Sequence, residues 1–478
     1  MSSTNVYRSD RHRGASRALG LLGGGSVLAA TAGAAGLGAL LATAAPAGAT
    51  TFTVTNLNDA GVGSLRQAVL DANTAPTDDV IDFAPGLSGT IALATGKMII
   101  TDEVTITGSG SANVTISGGG TSQIFYIYDI AHVGALTVTI SGLTLTDGYA
   151  AVNGGGAIAS WGGETTLRDV VITNSSAVGK GGAILHAYPA SQQGRDARLT
   201  LEGCVISGNS ATLSGGGVAL YQSGGATIID TVFEGNDAGY SGGALFDDLT
   251  TVSTTVTRTR MSGNESYLGG AILVQNQDAA STLRLDAVSV VNNTAMYTRS
   301  GAVTFLENSG SFEILSSTIA DNVGAGVFGA YSPSIQINHS TISGNSGPGV
   351  HGQVSAFAID SSLLADNLEG DLGSGVSFGS TATVNWSLVE SPGSSITSGS
   401  NNIIGADPGL QPLLEYSNTA WVRPILNTSP AFNAGNPAFV APPSTDQTGR
   451  ARVAYGRIDM GAFELQEPDA PVVPSFTG

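Results

Sequence analysis

The residues best placed to do chemistry are Asp248 and Glu307. Asp247-Asp248 is an adjacent carboxylate pair inside a repeating array, and Glu307 follows two repeats later. If the repeats stack at strand spacing, Asp248 and Glu307 stand roughly 10 Å apart. That separation suits the acid and base, or acid and nucleophile, of glycoside hydrolysis. The competing reading is solvated surface acid. The same register of the repeat gives Trp161, Ala187, Tyr221, Gln275 and Leu306, and the next position gives Tyr188, Gln222 and Asn276. Aromatic faces stack on sugar C–H groups, while amides and carboxylates bond hydroxyls. Trp161, Tyr188, Tyr221, Gln275 and Asn276 are therefore the candidate glycan-binding residues, weighed against the ordinary surface of a Thr/Asn-rich solenoid.

Other chemistry is poorly provided for. His186, His339 and His351 fall in different repeats, and there is no His-x-x-x-His pair, phosphate loop or nucleophile elbow, so no metal or cofactor is implied. Lysine is confined to Lys97 and Lys180, and no acidic triad recurs from repeat to repeat. Both facts disfavour calcium-dependent lyase chemistry on a uronate. The single cysteine, Cys204, excludes an internal disulfide and reads as a small buried hydrophobe.

The elements that must position these residues are set by two recurring phrases. Gly155-Gly156-Ala157-Ile158, Gly181-Gly182-Ala183-Ile184, Gly216-Gly217-Val218, Gly242-Gly243-Ala244-Leu245 and Gly269-Gly270-Ala271-Ile272 form one. Apolar-x-x-Asn forms the other, at Asn209, Asn236, Asn264, Asn293, Asn322, Asn345 and Asn367, spaced by 27, 28, 29, 29, 23 and 22 residues. A period in the twenties marks a stacked array. Each unit offers three short strands: one after the Gly pair, one alternating as in Leu199-x-Leu201, and one ending in the Asn. The expected fold is all-β, a right-handed parallel β-helix of the pectin-lyase type. Its apolar sites pile into an internal ladder, and the asparagines mark a shared corner where each tolerates a left-handed backbone and bonds its neighbours above and below.

Residues 1–49 read as an export signal: Arg8, Arg11, Arg13 and Arg17, an apolar run, then Ala47-Gly48-Ala49. Residues 50–142 hold an N-terminal cap and the first coils. In the cap, Ser64-Leu65-Arg66-Gln67 reads as a capping box opening a short amphipathic helix that covers the first rung. Regular repeats occupy 143–380, a closing segment 381–465 and a disordered tail 466–478. In the closing segment Asp446, Arg450, Asp459 and Glu464 read as a structural Arg–carboxylate network. The formal charge of −19 argues against nucleic acid and anionic membrane, and no membrane span is expected once the signal is removed.

Three resemblances rest on these residues. Phe233–Asn236 with Gly242–Leu245 resembles the repeat of the polymorphic outer-membrane proteins, surface β-helix adhesins. Gly63-Ser64-Leu65-Arg66-Gln67-Ala68 resembles the Cys-Ser-Leu-Arg-Glu-Ala motif that opens many secreted bacterial β-helix proteins. The run Asn401–Pro408, Ser429–Gly435 and Ile458–Glu464 is similar to the choice-of-anchor C-terminal domain of secreted or surface proteins. Together they imply a secreted or cell-surface protein that binds polysaccharide or a cell-surface glycan. The alternatives are a polysaccharide hydrolase or lyase acting in the lateral groove, and a structural matrix component. Oligomeric state is left open.

Overall fold

The computed structural model describes residues 48–466 except 76–77, 129–135, 189–196, 278, 333, 374–378 and 394–395. The expected export signal, apart from its last two residues, lies outside the described residues, as does the tail after Gln466. Among the described residues no helix is long and apolar enough to cross a membrane.

The described chain winds through three long parallel sheets. The first has 13 strands, from Thr51–Val54 to Thr381–Asn385; the second has 13, from Gly89–Ala92 to Ile403–Ile404; the third has ten, from Met98–Ile100 to Val350–Gln353. A fourth, of six short strands from Tyr149–Ala150 to Thr294–Ala295, falls between the second and third in the coils that carry it. Ile206, Phe233, Met261, Val290 and Ile319 pair in register and are fully buried, forming one interior column. Each such side chain contributes about 1.5–3 kcal/mol by leaving water.

Two polar ladders hold the corners. Each asparagine from Asn209 to Asn345 donates its Nδ2 to the Oδ1 of the next, at 2.8–3.1 Å. Asn367 ends the series by donating to Asp371 Oδ1 at 2.8 Å. The left-handed residue is not the asparagine, as expected above, but the one before it: Gly208, Gly235, Gly263, Asn292, Asp321, Gly344 and Asp366. That residue turns the chain, which frees the asparagine to aim its amide along the solenoid axis. The second ladder is hydroxylic: backbone N–H groups of Cys204, Thr231, Val288, Ser317 and Ser340 donate to hydroxyls one coil on. Cys204 is buried in that column, and burial pushes its thiol up to about 11.

The glycine pair has two separate causes. Gly242 has φ 63°, and a Cβ there would lie 2.3 Å from Leu245 O. Gly243 has ordinary φ, but its Cβ would lie 2.3 Å from Gly270 O of the next coil.

At the start, helix Leu65–Ala72 buries Leu65, Ala68, Val69 and Ala72 against the first coils. Ser64 Oγ accepts from Gln67 N at 3.2 Å, but the Gln67 side chain donates to Asp71 Oδ1 at 2.8 Å. Half of the expected capping box forms, because Ser64 N–H donates to Gly61 O at 3.1 Å and leaves the Gln67 side chain free to bond Asp71.

At the other end, parallel pairing continues past residue 380, through Thr381–Asn385, Leu388–Val389 and Ile403–Ile404. The chain then turns back along the outer face of the second sheet. Arg260 Nε donates to Asn418 O at 2.8 Å, Gln447 Nε2 to Ser289 Oγ at 2.8 Å, and Ala462 N to Thr341 Oγ1 at 2.9 Å. Arg423 pairs with Asp321. Met460, Ala431 and Ile425 pack on Leu363, Ala365 and Leu388. The buried guanidinium of this segment is Arg452, not Arg450. It donates to the carbonyls of Asp459, Gly461 and Ala462 amid the Asp446, Asp459 and Glu464 carboxylates. Arg450 instead lies 4.9 Å from the Tyr416 ring centroid.

Candidate functional site

The third sheet follows the Gly pair, and strand alternation splits its residues into inward and outward columns. One outward column runs Tyr126, Ala159, Leu185, Ala219, Phe246, Leu273; the other runs Tyr128, Trp161, Ala187, Tyr221, Asp248, Gln275, Leu306. The structure thus brings Trp161, Tyr221, Asp248 and Gln275 into a single line. Leu185, Ala187, Ala219, Phe246 and Leu273 make a buried apolar floor outside the main core, with Trp161, Tyr221, Leu268 and Leu306 at its margins. Leu268 belongs to the fourth sheet, which walls one side.

Both lysines of the sequence reach onto this face. Lys180 Nζ lies 3.5 Å from the Tyr221 ring centroid, 5.3 Å from that of Phe246 and 3.9 Å from Asp248 Oδ2. Lys97 Nζ lies 3.7 Å from the Tyr126 centroid and donates to Gln123 Oε1 at 2.9 Å. Burial lowers the pKa of both amines, and the Asp248 carboxylate draws Lys180 partly back. Lys97 borders a cleft of about 450 Å³ lined also by Gln123, Tyr126, Tyr149, Asn153 and Trp161. Three coils separate Met98 from Ile184, the strands that follow the two lysines, roughly 14 Å at strand spacing.

The remaining sequence candidates are placed differently. Asn276 is exposed and left-handed, and donates to Asp248 Oδ1 at 2.9 Å. Tyr188 is buried, and its hydroxyl accepts from Ala197 N, so its ring is structural and offers no face to a ligand. Glu307 is exposed at a left-handed corner two coils from Asp248 and one position further along the coil. Gln275 lies in the register between them, and Leu306, not Glu307, is the residue in line with Asp248.

Asp247 points into the solenoid instead of beside its neighbour. Thr254 Oγ1 donates to it at 2.7 Å and Gln277 Nε2 at 3.1 Å, and burial pushes its pKa up to about 6. His186 also faces inward, with Nε2 at 3.3 Å from Ala197 O, and burial lowers its pKa to about 4. His339 packs edge-on against Phe439, and His351 lies 5.5 Å from the Phe328 ring. Among the described residues no group of three or more His, Cys, Asp or Glu is placed to hold a metal ion.

Sequence inspection missed Tyr126 and Phe246, because it followed the third and fourth positions after the Gly-pair apolar residue. The first position after it is equally outward.

A family model described as right handed beta helix region matches residues 193–367. The solenoid is a right-handed parallel β-helix. No curated protein matches the chain in sequence. Among solved structures, the β-helix is similar to the mannuronan C-5 epimerase AlgE4 A-module of Azotobacter vinelandii, with TM-score 0.37 and 17% identity over 71% of this chain and 92% of that one. It is similar to the PL6 family alginate lyase AlyGC, with TM-score 0.41 and 11% identity over 78% of this chain and 55% of that one. It is also similar to the Streptococcus pneumoniae surface protein and adhesin PfbA, with TM-score 0.31 and 11% identity over 74% of this chain and 97% of that one.

Proposed function

We propose that this is an exported β-helix protein that binds a glycan chain along the outer face of its third sheet. The observation that carries the proposal is the groove itself: an apolar floor, Trp161 and Tyr221 at its margins, Asp248, Asn276 and Gln275 along its edge, and a lysine at each end of one stretch. The half-exposed rings of Tyr126, Trp161 and Tyr221, seated on the buried floor, take sugar C–H faces, and the polar edge takes hydroxyls. The export signal, the adhesin-type repeats and the choice-of-anchor-like end are parts of the same proposal, which places the protein outside the cell or on its surface.

The test is retention of the full chain on a panel of immobilised polysaccharides. At least one should retain the wild type, and Trp161→Ala/Tyr221→Ala should weaken retention by roughly tenfold or more, since stacking aromatics dominate such contacts. Equal retention of the double variant would remove the groove from the account. The second reading, a polysaccharide hydrolase or lyase, is favoured by one juxtaposition: Lys180, Tyr221 and Asp248 meet at one point, and burial favours the neutral amine that a base requires. New reducing ends or unsaturated products made by wild type and not by Lys180→Met would establish it.

A further inference from the structure

The chain carries a formal charge of −19. In so acidic a protein a cation easily finds a carboxylate, and many of the arginines do. Arg66 pairs with Asp59, Arg168 with Glu202, Arg258 with Asp230, Arg260 with Glu234, Arg284 with Asp286 and Glu313, and Arg423 with Asp321. Lys180 has Asp248. Lys97 differs: among the described residues it has no carboxylate within ion-pair distance. Its ammonium is held by an amide oxygen and an aromatic face, and both leave it positive.

The position of Lys97 is imposed from behind. Arg66 donates to Gly96 O and to Lys97 O, the latter at 3.1 Å, while pairing with Asp59. Asp59 in turn accepts from Thr95 N at 2.9 Å and Thr95 Oγ1 at 2.7 Å. Asn73, at the end of the capping helix, donates to Ile99 O at 2.8 Å and accepts from Thr101 N at 2.9 Å. The segment bearing Lys97 is thus tied on both flanks to the helix that opens the fold. An ammonium so fixed, partly desolvated at a cleft and without a carboxylate partner among the described residues, is arranged to receive an anion.

We infer that the cleft beside Lys97 is an anion subsite that takes the carboxylate or sulfate of an acidic sugar, with the ring of that sugar on Tyr126 or Trp161. The inference rests on the glycan-binding proposal above and narrows it to acidic glycans. Lys180, three coils along, already has Asp248 and supplies the weaker second contact. Arg66 is a positioning residue: it holds the backbone of Lys97 and does not touch the ligand.

The experiment is calorimetric titration of the full-length protein with oligosaccharides of equal length: an oligouronate, a sulfated oligosaccharide and a neutral oligoglucoside. Lys97→Met is the key variant, since it keeps the aliphatic stem over Tyr126 and removes the charge. The oligouronate or the sulfated chain should bind at least tenfold more tightly than the neutral one. Lys97→Met should lose roughly tenfold to a hundredfold for the acidic ligand, the range expected for a charged hydrogen bond, and several-fold less for the neutral one. Preference for carboxylate over sulfate, or the reverse, identifies the source of the anion. Equal binding of acidic and neutral chains, or an acidic preference that survives in Lys97→Met, overturns the subsite while leaving glycan binding intact. Failure of every oligosaccharide to bind overturns both. Unfolding of Lys97→Met should match wild type, which separates lost charge from lost fold.

Discussion

The second and third sheets belong to the same solenoid, yet their outer faces have opposite fates. On the second sheet the early strands Thr144–Thr146, Val171–Thr173 and Val205–Ser207 are half-buried on both flanks of the interior residue. From Arg260–Ser262 to Leu363–Ala365 every strand residue is buried, because the chain's own C-terminal segment lies over them. The third sheet receives no such cover from that segment. Its strands Ile184–Ala187 and Leu245–Asp248 are buried as well, but the rings of Tyr126, Trp161 and Tyr221 stay half-exposed beside that apolar floor, and Lys97 and Lys180 reach onto them from the turns before their strands. One face of the coil therefore spends its outward residues on stability and another keeps them for a ligand, although the backbone geometry of the two is nearly the same. What differs is the outward side chain: Ser289, Thr318 and Thr341 are short hydroxyls that bond a returning chain, whereas Tyr126, Trp161 and Tyr221 are broad and project.

The largest effect should come from the covered face. Arg452→Met leaves the carbonyls of Asp459, Gly461 and Ala462 without the buried guanidinium that donates to them, and urea unfolding should show a loss of about 3–5 kcal/mol. Glycan retention by the folded fraction should stay unchanged, and a fall in retention without loss of stability would erase the distinction between the two faces. Next is the ladder that serves both. Asn293→Ala removes the acceptor of Asn264 N and Asn264 Nδ2, at 2.9 Å each, and should cost about 1–3 kcal/mol in the same measurement. An unchanged midpoint would mean that water replaces the amide.

A pH experiment sharpens the comparison further. Burial raises Glu464 to about 8 from an ordinary 4.5, so the fold favours the protonated acid. Its contribution to stability is complete below pH 4.5 and is lost as pH rises through 8. Stability measured across that window should decline in wild type and decline less in Glu464→Gln; parallel curves would dismiss Glu464 as the source. On the open face, Lys180→Met should weaken binding of an acidic oligosaccharide less than Lys97→Met does, because Asp248 already offsets its charge. The reverse ranking would interchange the two subsites. Smallest of all, Tyr267→Ser interrupts the exposed row of Tyr240 and Tyr267 on the fourth sheet and Tyr297 just beyond it. It should change stability by no more than about 0.5 kcal/mol and leave binding untouched; a marked loss of binding would extend the groove over its wall.

The interior was legible in the sequence because its signal repeats. Ile206, Phe233 and Met261 recur at coil spacing, and each asparagine that follows makes the same bonds. Even there one step was hidden: the left-handed residue precedes the asparagine, and composition does not separate Gly235-Asn236 into a turning residue and a bonding one. The hydroxyl ladder could have been found, since Thr231, Ser317 and Ser340 each stand two residues before an interior apolar residue. The fold-back was not legible. Arg423 and Asp321 are 102 residues apart, and the returning segment after Ile404 has no period. The groove was half legible for the same reason. Register gave Trp161, Tyr221, Asp248 and Gln275, but Lys97 and Lys180 occur once each, and Tyr188 shares a register position with exposed residues while being turned into the protein by its bond to Ala197.

A practical consequence follows from the scarcity of primary amines. Lys97 and Lys180 are the lysines of this sequence, and both overhang the groove. Dyes, resins and sensor surfaces that couple through lysine will attach there and occlude the face to be measured, returning silence from an active molecule. Attachment through an added terminal tag or through carboxylates would leave it clear.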